Sequence, residues 1–132
     1  MDVELAKSKD STAVSVPVRL FISGVNLKNR DTTRKPDLQC VVSERAHDNP
    51  NSWIEVGRTE FQKDNLSPNF QTAIEINFYY ERPQLLKFEF IDDDGSDVND
   101  YYDVFAVNTM YLASIMASRD KTLTKTLFLA DK

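Results

Sequence analysis

Cysteine is almost missing from this chain. Cys40 stands alone, so no internal disulfide can form and nothing calls for an oxidising compartment. Histidine also occurs once, as His47 in the polar stretch Ala46-His47-Asp48-Asn49. So few imidazole and thiolate ligands argue against a zinc or copper centre. Only three glycines are present, and none forms a phosphate-cradling loop. No apolar run is long enough to span a bilayer, and Met1–Lys7 carry charge where a signal peptide would carry an apolar core. No nucleophile stands with a base and an orienting acid, so the chain reads as non-catalytic. A basic stripe is lacking too, and the net charge of −5 argues against constitutive nucleic-acid binding. What remains is one cytosolic domain of 132 residues, 41% apolar and 28% charged.

What is present is alternation. Residues 1–15 are polar and small and read as a loose arm, leaving 16–132 as the folded unit. From Val16 onward, Val16, Val18, Leu20 and Ile22 share a face. Further strands are expected at Leu38–Ser43, Trp53–Phe61, Phe70–Tyr80, around Leu86–Phe90, at Val104–Tyr111 and at Leu123–Leu129. Gly57 marks a bulge or a close backbone approach inside the third. Leu112, Ile115 and Met116 fall at helical spacing, which predicts a short helix over 112–118. Prolines 17, 36, 50, 68 and 83 punctuate the joins. Seven short strands bounded by turn signals describe an all-β antiparallel sandwich. Cys40, alternating with Leu38 and Val42, is expected in the core; Trp53 is expected to pack on its strand and His47 to face solvent.

The acids gather at the joins. Asp31 and Asp37 flank the loop after the first strand, and the loop after the fifth holds six aspartates in twelve residues, Asp92 to Asp103. Asp92 and Asp94 keep the parity of Phe88 and Phe90, so both point over the end of the core, and Asp93 points away. Clustered carboxylates repel one another, and a hard divalent cation relieves that conflict; Ca²⁺ takes ~6–8 oxygen ligands. A run of acids is equally what a solvated loop looks like, and spacing alone leaves both readings open. An EF-hand is excluded, since the sixth position from Asp92 is Asp97, where that loop needs glycine.

Several segments carry a family signature. Val18-Arg19-Leu20-Phe21-Ile22-Ser23-Gly24 leads to Asp31 and then Lys35-Pro36-Asp37. Val56-Gly57-Arg58-Thr59-Glu60, Asn65-Leu66-Ser67-Pro68-Asn69-Phe70, Tyr79-Tyr80-Glu81 and Asp92-Asp93-Asp94 follow in order. Over Val16 to Leu129 the chain resembles a C2 domain, and most closely the first C2 domain of the copines. The resemblance implies an eight-stranded sandwich of type II topology, forming part of a longer protein. It implies calcium-dependent binding of phospholipid, with ligands Asp31, Asp37, Asp92, Asp94 and Asp103. Asp97 and Asp100 are rivals for the last place, and the backbone carbonyls of Arg30 and Asp93 are further candidates. Ala106 and Ser67 depart from the family's usual glycine and asparagine.

Two bound Ca²⁺ would take the formal charge from −5 to −1, and three would take it to +1. Lys28, Arg30, Arg34 and Lys35 would then face anionic, phosphatidylserine-like headgroups without an opposing charge, each contributing about 1 kcal/mol. Tyr101 and Tyr102 on the long loop suit the headgroup level. The expected partner is an anionic membrane, with recruitment from cytoplasm to the inner face of the plasma membrane when calcium rises. The alternative is a calcium-insensitive C2 fold that binds other proteins.

Overall fold

The computed structural model describes residues 14–27, 35–92, 103–125 and 128–129. Among these residues seven strands form two antiparallel sheets. They are β1 (Ser15–Leu20), β2 (Leu38–Arg45), β3 (Trp53–Arg58), β4 (Ile74–Tyr79), β5 (Leu85–Asp92), β6 (Asp103–Tyr111) and β7 (Phe128–Leu129). β1 pairs with β4, and the second sheet runs β3-β2-β5-β6-β7. The six-residue helix α1 (Leu112–Ala117) follows β6, with Leu112 buried and Ile115 and Met116 half-buried against the core.

Period-two alternation builds the interior. Leu38, Cys40 and Val42 of β2 and Leu86, Phe88 and Phe90 of β5 face Leu20, Ile74 and Phe78 of the smaller sheet. Phe70 crosses between the layers, its ring centroid 5.9 Å from that of Phe90. Each such side chain contributes about 1.5–3 kcal/mol by leaving water, which is why the layers stay together. On β6, the register with β5 slips between Phe90 and Ile91, so Phe105 is an extra residue and both it and Ala106 are buried. On β3, Val56 is the extra residue beside Gly57, where an added Cβ would sit 3.4 Å from Ile74. The bulge expected at that glycine is present. Cys40 is fully buried, His47 is exposed, and Trp53 sits half-buried under the Lys87 ammonium.

Four expectations need correction. The third strand ends at Arg58, and the chain rejoins β2 through a single bridge from Gln62 to Leu38. The fourth begins at Ile74 rather than Phe70, because the amides of Gln71 and Thr72 donate to the Glu60 carboxylate and not to a ladder. Tyr80 lies past the strand end and is exposed. Among the described residues of the expected 123–129 strand only Phe128–Leu129 pair. Asp120 and Lys121, with φ of 55° and 52°, turn the chain before it, and the Lys125 ammonium rather than a backbone amide reaches the Thr109 carbonyl. Among the described residues there is no eighth strand; residues 2–6, which could supply it, lie outside them.

Candidate functional site at the acidic end of the sandwich

Antiparallel pairing dictates which loops meet. β2 starts, β5 ends and β6 starts at the same end of the larger sheet, because Leu38 is the register partner of Asp92 and Asp92 that of Asp103. The bridge from Leu38 to Gln62 extends this row by one more segment. Gln62, Leu38, Asp92 and Asp103 therefore lie across the sheet in one line, with Asp37 one residue beyond it.

Within this row the two acidic loops touch. The Asp37 amide donates to Asp92 Oδ1 at 3.1 Å, joining residues 55 apart in sequence. Both aspartates are half-buried, Asp92 as the last residue of β5 and Asp37 just ahead of β2. β5 alternates regularly through Phe90, and the buried Ile91 breaks that alternation just before Asp92. The carboxylate of Asp37 in turn accepts the backbone amide of Asp64 at 2.9 Å. Asp64 has φ of 49°, a left-handed conformation that lets the tip of the loop after β3 fold toward Asp37.

That third loop was not anticipated as part of the site. It is tied to β2 by paired amide–carbonyl bonds between Gln62 and Leu38, 2.9 and 3.0 Å, and by the Asn65 amide donating to the Pro36 carbonyl at 3.1 Å. It is also tied to the first loop. The amides of Gly24, Asn26 and Leu27 donate to the Pro68 carbonyl, Ser67 Oγ and the Leu66 carbonyl, each at 2.8 Å. Gly24 permits this approach, since a Cβ there would meet Leu27 at 3.1 Å. The signal was in the sequence: the Asn65-Leu66-Ser67-Pro68 block stood out, but its role in bracing Asp37 has no periodicity to reveal it. Asn65 is spent on this fold, its side chain accepting from the Ser67 amide and donating to Gln62.

The expected ligands thus divide. Asp37 and Asp92 are brought together, and the backbone of Asp103 stands opposite Asp92. Asp31, Asp93, Asp94, Asp97 and Asp100 lie outside the described residues, as do Lys28, Arg30, Arg34, Tyr101 and Tyr102; Lys35 is described and exposed. Among the described residues no three acidic, histidine or cysteine side chains form a group able to hold an ion alone. The donors present are oxygen only, and the pair spans both acidic loops, which is the chemistry a hard cation takes. No helix among the described residues is long and apolar enough to cross a membrane.

Comparison with known proteins agrees with this architecture. The C2 domain family model matches residues 19–124. The chain is 38% identical to Copine-E of Dictyostelium discoideum over 94 residues, covering 68% of this chain and 16% of that protein. It is 33% identical to nicotinic receptor-associated protein 1 of Caenorhabditis briggsae over 103 residues, covering 67% of this chain and again 16% of the relative. The chain therefore spans about a sixth of the length of these relatives. Among solved structures, human GIVD cytosolic phospholipase A2 superposes with a TM-score of 0.57 at 16% identity, covering 77% of this chain and 14% of that one. BON1-C2B does so at 0.52 and 18% identity, covering 84% and 74%. At these identities the structural likeness speaks for the fold alone.

Proposed function

The chain belongs to the C2 domain family, and we propose that it is a calcium-dependent module that binds anionic phospholipid through its Asp37–Asp92 end. The observation that carries this reading is the bond from the Asp37 amide to Asp92 Oδ1, which sets one acid from each of two aspartate-rich loops side by side. Asp31, Asp37, Asp92, Asp94 and Asp103 would hold two or three Ca²⁺. Bound there, the ions supply positive charge and open coordination positions for phosphate oxygens. Asp92, at the rigid end of a central strand, fixes the depth of the site. Asp37 fixes its width, since its amide is held by Asp92 and its carboxylate by the Asp64 amide. Lys35, together with Lys28, Arg30 and Arg34, supplies cationic contacts to headgroups, and Tyr101 and Tyr102 supply rings for the interfacial level.

Without the ions the acids repel an anionic surface, so binding follows calcium. Recruitment from the cytoplasm to the inner leaflet is the cellular consequence of this proposal, and the domain itself performs no chemistry on the lipid. Co-sedimentation with phosphatidylserine-containing vesicles tests it, in calcium and in chelator. Binding is expected in calcium only, and Asp92→Asn with Asp94→Asn abolishes it while leaving the circular dichroism spectrum unchanged. Equal binding under both conditions, or none under either, overturns the reading and leaves the C2 fold as a protein-interaction module.

A further inference from the structure

We propose that Glu60 and Gln62 are positioning residues that set the calcium affinity of the Asp37–Asp92 site by fixing where the Asp37 carboxylate points. The inference rests on the functional reading above and concerns two residues outside both acidic loops. Glu60 lies just past β3 and its carboxylate accepts three bonds. Gln71 N and Gln62 Nε2 donate to Oε2 at 2.8 and 3.0 Å, and Thr72 N donates to Oε1 at 3.1 Å. Both ends of the loop between β3 and β4 are thereby fastened to one side chain.

Gln62 transmits that anchoring inward. Its Nε2 also donates to the Asn69 carbonyl at 2.8 Å, and its Oε1 accepts from Asn65 Nδ2 and from Asn69 N, both at 3.2 Å. Its backbone is paired in both directions with Leu38. The loop tip held by this network contains Asp64, whose amide grips Asp37 Oδ1. Removing the anchor frees the tip to move, and Asp37 then loses the donor that restrains its carboxylate. Groups that orient a ligating carboxylate typically change metal affinity about 10–100-fold when removed.

The test uses Gln62→Ala and Glu60→Gln, the second keeping the size of the side chain but placing an amide against the Gln71 and Thr72 donors. Calcium affinity is measured by titration calorimetry, and hydrogen exchange of the Asp64 amide is followed in calcium-free protein. Unfolding midpoints are recorded in parallel. Calcium affinity is expected to fall at least about tenfold, with Asp64 exchange accelerated, in variants still folded at the assay temperature. Affinity within twofold of wild type in both variants, with lower midpoints, overturns the inference and leaves the network a purely structural brace. If wild type takes up no calcium, the functional reading fails instead. The exchange measurement then decides the positioning claim by itself: an unchanged Asp64 rate in both variants refutes it, and acceleration supports it. Should Glu60→Gln fail to fold, Gln62→Ala carries the same outcomes.

Discussion

Lowering the pH should remove one identifiable support of this fold. The Glu60 carboxyl is buried enough that desolvation works against its charge. The bonds from Gln71, Gln62, Thr72 and its own amide outweigh that and hold its pKa down at about 2, against an ordinary 4.5. A difference of this size corresponds to about 3 kcal/mol of preference for the charged form, which partial exposure and salt reduce to roughly 1–2 kcal/mol. Because the folded-state pKa lies below the unfolded one, the stabilisation is complete above about 4.5 and disappears as pH falls toward about 2. Glu60→Gln has no such titration. Urea unfolding followed by the fluorescence of Trp53, the sole tryptophan, is to be run for both proteins between pH 7 and pH 2.5. Other carboxylates titrate in both and cancel in the difference. Wild type should exceed the variant by about 1–2 kcal/mol near neutrality, with the gap closing across the acid range. A gap that stays constant over that range, or that is already absent at pH 7, would show that these bonds do not stabilise the ionised form.

Other expectations follow from single contacts. Leu38→Ala empties a fully buried position at the head of β2; its urea midpoint should drop by the equivalent of about 2–5 kcal/mol. Thr59→Val keeps the shape but removes the hydroxyl that accepts the buried Cys40 amide at 2.9 Å, a loss of about 1–3 kcal/mol in the same assay. The Cys40 thiol, raised above its ordinary value by burial and by the nearby Glu89 charge, should resist a thiol reagent in native protein and react at the rate of global unfolding; prompt labelling would contradict its burial.

Legibility of the fold tracked the physics of each segment. β5 could be read almost residue by residue as far as Phe90, since a central strand buried on one face has little freedom in its alternation; Ile91, also buried, breaks the pattern just before Asp92. The segment from Phe70 to Ala73 looked equally strand-like. There the competing acceptor was a side chain, Glu60, eleven and twelve residues earlier, and no local pattern announces that. The last strand misled for a related reason: Leu123 to Leu129 has the right composition, yet left-handed residues at 120 and 121 decide the path of the chain. At the site, the pairing of Asp37 with Asp92 was foreseeable once the loops were assigned to one end. The contribution of the loop after β3 was not, because Asp64 acts through its backbone, and a backbone amide has no residue signature.

The bond between Asp37 and Asp92 has a kinetic side. Its partners are 55 residues apart and adjoin two inner strands of the larger sheet, β2 and β5, whose pairing is among the most distant in the chain. Long-range closures of this kind form slowly, and all-β topologies accordingly fold in about milliseconds to seconds. The two acids therefore do not exist as neighbours in a nascent or partly denatured chain, and a ligand cannot recruit them early. Any ion held between them binds the finished sheet alone. It would raise the melting temperature of the entire domain in proportion to the logarithm of its concentration, not merely stiffen the loops.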